Sequence, residues 1–137
     1  MSAEQIAAFT PVAGIFLQKM GALPQGVQDA YKADQAADAA KSEEDKAAHM
    51  VVVMAFFDQA DANKDGRLDQ AELFTMTGLI NGMMAGKYGE WMVWSEADVA
   101  ITYTAYNTVS ADEGIAKADM MAIRPILRAS IAALMAA

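Results

Sequence analysis

Twelve residues between two apolar segments constrain this chain more than any other part of it: DANKDGRLDQAE, at positions 61–72. Three aspartates, an asparagine and a glutamate crowd into one bend, and like charges this close repel one another. Their spacing indicates what offsets the repulsion. Asp61, Asn63 and Asp65 alternate, so their side-chain oxygens can converge on one point as the backbone curls. Gly66 permits a sharp turn that a residue with Cβ resists. Arg67 is expected to contribute only its backbone carbonyl, with its charge pointing outward, and Asp69 to act through a water. Glu72 opens the next helix and can return both carboxylate oxygens to the same centre. A hard, large divalent cation takes about six to eight oxygens at such a centre, and once bound it removes the repulsion. The pattern D-x-[DN]-x-[DN]-G-x5-E is met at every position.

Both flanks read as helices. Ser42-Glu43-Glu44-Asp45 resembles a capping box with Asp in place of the usual Glu or Gln. The following KAAHMVVVMAFFDQA is apolar around most of its circumference, which predicts a core helix running into the acidic loop. Beyond the loop, Leu73, Phe74, Met76, Ile80 and Met83 recur at roughly helical intervals, until glycines 82, 86 and 89 weaken and end the helix. KYGEWMVW then connects to a second capping start, Ser95-Glu96-Ala97-Asp98, ahead of the helix ADVAITYTAYN. The loop TVSADEGIAKAD and a last helix from about Asp119 complete the chain, and the apolar C-terminal stretch reads as a buried helix. Upstream, Thr10-Pro11 predicts a helix start, with Thr as cap and Pro at the first helical position, over 11–20. A turn at 21–26 leads to a second helix from about Val27 to about residue 40, which runs into an exposed Ala- and Asp-rich stretch. MVVVM and VAITYT are β-branched enough to be strands by propensity, but their capped starts and their positions before loops favour helix. The expectation is an all-α chain in one compact domain, with a possible short β-bridge between the two loops.

The 61–72 stretch closely resembles the calcium loop of the EF-hand superfamily, the calmodulin-like proteins. Its flanks agree with the resemblance. Phe57 stands four residues before the loop, Leu68 takes its eighth, apolar position, and Leu73 and Phe74 follow the glutamate. The helix MVVVMAFFDQA argues against a dockerin-like loop with no helix before it. The resemblance implies calcium as the ligand, with Asp61, Asn63, Asp65, Arg67, Asp69 and Glu72 as the metal site. It also implies a paired hand, whose best candidate is NTVSADEGIAKAD at 107–119. There Tyr103 matches Phe57, Ile115 matches Leu68 and Asp119 matches Glu72. Asn107, Ser110, Asp112 and Glu113 offer oxygens without regular alternation, the glycine comes late at Gly114, and the loop is one residue longer. This is read as a degenerate hand that pairs structurally and binds no calcium at physiological levels. Residues 46–137 then form the EF-hand pair. Residues 1–45, a helical hairpin without a calcium loop, form an extension packed on the pair, as the ion-free helices of parvalbumin-like proteins do.

Composition narrows the function classes. Eighteen acids against ten bases give a formal charge of −8, which repels nucleic-acid phosphates and suits cations or a basic partner. There is no cysteine, which excludes disulfides and thiolate sites and fits a cytoplasmic location. Glu4 stands where a secretory signal would carry Lys or Arg, and the longest apolar run, at 50–57, is far too short to span a membrane. The single histidine, His49, lies in a helical apolar run, and no nucleophile elbow or phosphate loop accompanies it, so no enzymatic activity is expected. Eleven methionines, among them Met76, Met83, Met84, Met120, Met121 and Met135, fit a flexible groove. The resemblance then implies a calcium sensor or regulatory subunit that binds a basic amphipathic helix of a protein or peptide. The alternative is a calcium buffer, or a constitutive light-chain-like subunit in which calcium only stabilises the fold. Trp91 and Trp94 are expected to fill a crevice beside the pair, with a lid or a partner anchor as the sharper alternative.

Overall fold

The computed structural model describes residues 2–40, 42–110 and 113–136, the side chains at 38, 39 and 49 excepted. Among these residues the chain forms six helices and one two-stranded ribbon. In order they are α1 (Ala3–Gly21), α2 (Gln25–Ala39), α3 (Glu43–Ala60), β1 (Arg67–Leu68), α4 (Gln70–Tyr88), α5 (Glu96–Asn107), β2 (Ile115–Ala116) and α6 (Lys117–Ala136). The architecture is all-α apart from the ribbon. MVVVM and VAITYT are both helical.

Several boundaries follow from local hydrogen bonding. Ser42 caps α3, with its hydroxyl accepting from the Asp45 N–H (3.2 Å). Ser95 and Asp98 form a reciprocal capping box at α5, each side chain satisfying a backbone donor of the other. Lys19 at the end of α1 reaches across to this cap, donating to the Val93 carbonyl (2.8 Å) and pairing with Asp98 (3.0 Å). The hydrogen bond from the Ser95 backbone, reinforced by Lys19, holds the Asp98 carboxyl below its ordinary value of 3.8, against an opposing effect of burial. Gly89 ends α4 in the left-handed conformation (φ 81°), which only glycine enters without strain.

Two sequence expectations are corrected. The first helix does not start at Thr10-Pro11. It starts at Ala3, where Ser2 and Gln5 form a complete capping box, and Pro11 lies inside it. Proline forfeits a helical donor there. The turn before it must nevertheless stay helical to place Phe9, fully buried, on the same face as Val12 and Ala13. The second correction concerns α3, which is not wrapped by the core. Phe57 and Ala60 are buried at its end, but Val51 is 70% exposed and Val52 46%. The reason is the partner arrangement: α3 packs chiefly on α4, whereas α1 lies along α6 and α5 and takes up their apolar faces. The last helix begins at Lys117, close to its expected start, and the Asp119 carboxylate accepts from the Ala116 N–H (2.9 Å) in its first turn.

The main core joins α1, α3, α4, α5, α6 and the ribbon. Phe9 and Val12 from α1 meet Phe57, Leu73, Met76, Val99, Ile123 and Ile126 from the later helices. Leu68 and Ile115, both at 0% exposure, face each other across the antiparallel ribbon, which sets its register: Arg67 opposite Ala116, Leu68 opposite Ile115. Burying two such side chains stabilises by about 3–6 kcal/mol relative to exposure, which secures a ribbon too short to form alone. Tyr106 stacks on Phe9 with ring centroids 5.6 Å apart, and burial pushes its hydroxyl up to about 12. A smaller cluster of Met20, Leu23 and Met92 sits beside this core. Trp91 fills the crevice there, 5.2 Å from the Tyr31 ring and 5.4 Å from that of Tyr88, with Trp94 packed nearby. Among the described residues no helix is long and apolar enough to cross a membrane.

Candidate metal centre

The loop between α3 and α4 is built by its own polar groups. The Gly66 N–H donates to Asp61 Oδ2 (2.9 Å), Asp65 N–H to Asn63 Oδ1 (3.3 Å) and Arg67 N–H to Asp65 Oδ1 (3.0 Å). These bonds curl the backbone around its short side chains. Two positions need positive φ, Lys64 (59°) and Gly66 (81°), and only the second is free of cost. Glu72 closes the loop from inside α4. Its Oε2 accepts from the Ala62 N–H (2.8 Å) at the start of the bend, while its Oε1 accepts from the Asp69 N–H (3.1 Å) and closes the capping box of α4.

The result is a cluster of carboxylates held by backbone and side-chain donors, with one oxygen, Asp61 Oδ1, left over. Asp61, Asp65 and Glu72 each bring a carboxylate oxygen to within 4.8 Å of the others. At that separation each pair of ionised carboxylates repels by about 1–3 kcal/mol, taking effective dielectric constants from water down to a protein surface. Asp61 is only 5% exposed and Glu72 8%. Asp61 Oδ1 is buried without a hydrogen-bond partner. A buried carboxylate oxygen left unsatisfied costs more than a neutral one, and a cation among these oxygens could offset that cost. The donors are all oxygen, which suits hard ions such as calcium or magnesium rather than zinc or copper.

The other expected site residues fall into place differently. Asn63 is exposed and bonded to Asp65 within the loop. Asp69 stands outside the carboxylate group and caps α4, its Oδ1 accepting from the Glu72 N–H (2.8 Å). Arg67 corrects the sequence expectation. Its charge does not point outward. The guanidinium reaches into the second loop, where Nε donates to the Glu113 carbonyl (2.9 Å), Nη2 donates to Ser110 Oγ, and Nη2 lies 3.7 Å from Asp119 Oδ2. Sequence reasoning missed this. The signal available was position: the seventh loop residue adjoins the eighth, which bridges to the partner loop.

The 107–119 loop therefore holds its oxygens around an arginine. Asn107 keeps a buried Oδ1 with no partner, Gly114 adopts φ 92°, and Asp112 lies outside the described residues, as does the His49 side chain. Tyr103 stands against both loops. Burial first, then the charges of Glu113 and Asp69, push its phenol up from the ordinary value, so it remains a neutral hydroxyl there.

A second feature is an apolar cavity of about 260 Å³ under α1, bordered by Phe16, Ile80, Met84 and Trp94. Its lining carries no ionised side chain. Of the expected methionine groove, Met76 is buried in the main core, Met84 borders this cavity, and Met121 and Met135 are open to solvent at 60% and 67%. No protein-family model, curated protein or solved structure matches the chain.

Proposed function

We propose that the chain is a calcium-binding protein of the EF-hand type that holds one ion in the 61–72 loop. Asp61, Asn63, Asp65 and Glu72 supply side-chain oxygens, Arg67 its carbonyl, and Asp69 acts through water. The observation that carries this reading is the buried, unpartnered Oδ1 of Asp61 beside the carboxylates of Asp65 and Glu72. The helix–loop–helix on either side and the ribbon joining the two loops support it. Calorimetry with equilibrium dialysis tests it: one calcium ion bound with a dissociation constant of about 10⁻⁷ to 10⁻⁵ M is expected. A folded chain that retains no metal at millimolar calcium overturns it.

The ion serves a regulatory or structural subunit rather than a store, since a single site makes a poor buffer. The packing of α1 over α5 and α6 favours a structural subunit in which calcium only stabilises the fold, because α1 takes the apolar surface that a partner helix would use. The sensor reading has its own support in the cavity beneath α1, which leaves that helix incompletely packed against Met84 and Trp94. In a sensor, calcium would displace α1 and offer the surface to a basic amphipathic helix.

A further inference from the structure

We propose that the second loop is a cation site whose resident cation is the guanidinium of Arg67, so that the paired loops take one metal ion and carry their second positive charge covalently. This inference rests on the reading of the first loop as a metal site.

The contacts of Arg67 are those of a cation in an oxygen cage. A backbone carbonyl (Glu113), a hydroxyl (Ser110) and a carboxylate (Asp119) face its nitrogens. These are the oxygen types that a hard divalent ion collects, and a guanidinium, with five N–H donors in a fixed fork, can satisfy several at once. The groups are not a loose surface pair: the Arg67 side chain is 29% exposed and that of Asp119 17%. The loop is shaped to admit the arginine stem. A Cβ on Gly114 would stand 3.2 Å from Arg67 Cβ and 3.2 Å from the Leu68 carbonyl oxygen, at a φ of 92° that disfavours any side chain. The late glycine of this loop is thus explained by where Arg67 crosses it. The ribbon supplies the aim, since pairing Arg67 with Ala116 sets its side chain beside the second loop.

One residue therefore serves both loops. Its backbone N–H braces Asp65 in the first, and its side chain fills the second. Asn107, at the start of the second loop, keeps a buried Oδ1 that has no partner. With the guanidinium gone, Ser110 Oγ, the Glu113 carbonyl and Asp119 Oδ2 lose the cation that they face, and Asp119 keeps only the Ala116 N–H.

The test compares the wild-type chain with Arg67→Met, which keeps the stem, the ribbon and the backbone carbonyl but removes the charge and the donors. Calcium stoichiometry is read by calorimetry and native mass spectrometry. One ion in the wild type and two in Arg67→Met are expected, with Arg67→Lys returning to one. A wild type that takes two ions, or a folded Arg67→Met that still takes one, overturns the proposal and leaves the first-loop reading standing. A wild type that takes none while Arg67→Met takes one overturns the first-loop reading alone. NMR of the metal-free wild type is independent of both and of the variant's folding. Arg67 Nε–H should exchange with water about tenfold or more slower than a free arginine and show contacts to Gly114. A freely exchanging Nε–H overturns the proposal.

Discussion

Glu72 shows how much one residue is asked to do. It accepts two backbone N–H groups, lies 8% exposed and brings an oxygen to the Asp61–Asp65 pair. Glu72→Gln keeps the shape and one acceptor but removes the charge and half of the bidentate reach. Calcium affinity is expected to fall at least about tenfold, roughly 1.4 kcal/mol, with the helical content unchanged. Unchanged affinity by calorimetry would remove Glu72 from the ligand set. The spacing of Asp61, Asn63, Asp65 and Glu72 was legible because their geometry is set within a dozen residues of chain. The destination of the Arg67 side chain was not. Its acceptors sit in a loop far along the chain, and only the ribbon brings them within reach.

The elements show the same division. Capping residues marked the starts of α3 and α5 correctly, because a cap acts on the donors of its own first turn. Thr10-Pro11 misled for a similar reason. It has the local form of a helix start, but Ser2 and Gln5 supply a stronger one upstream, and the burial of Phe9 carries the helix through the proline. For α3, hydrophobicity alone marked residues that the packing leaves open. Substitution separates the two faces of this helix. Phe57→Ala, at a position 1% exposed, is expected to cost about 3–5 kcal/mol, while Val51→Ser, at 70% exposure, should change stability by no more than about 0.5 kcal/mol. Denaturant unfolding measures both. A large loss from Val51→Ser would mean that the outer face of α3 is covered.

At the scale of the whole molecule, α1 sets what an ion in the proposed site could accomplish. Its Phe9 and Val12 share one core with Val99, Ile123 and Ile126, so uncovering the faces of α5 and α6 means breaking that core. In the ion-stabilised reading calcium adds rigidity without exposing apolar surface. Saturation at about a hundredfold excess over the dissociation constant raises stability by about 2.7 kcal/mol. Fluorescence of a hydrophobic dye is then expected to stay near its metal-free level as calcium is added, while the melting temperature rises. A several-fold increase in dye fluorescence on calcium binding would instead establish the sensor, with α1 released from its seat.

By itself the sequence determined the bend at 61–72, the helices on either side and the capped starts at Ser42 and Ser95, and it placed Leu68 and Ile115 at matching loop positions. Each depends on interactions within a turn or two of chain, or on a fixed loop position. The tertiary structure alone decided that α1 runs through Pro11, that one face of α3 stays in water, and that Arg67 turns into the neighbouring loop. Burial and long-range ion pairing depend on which elements lie side by side. No local pattern carries that information.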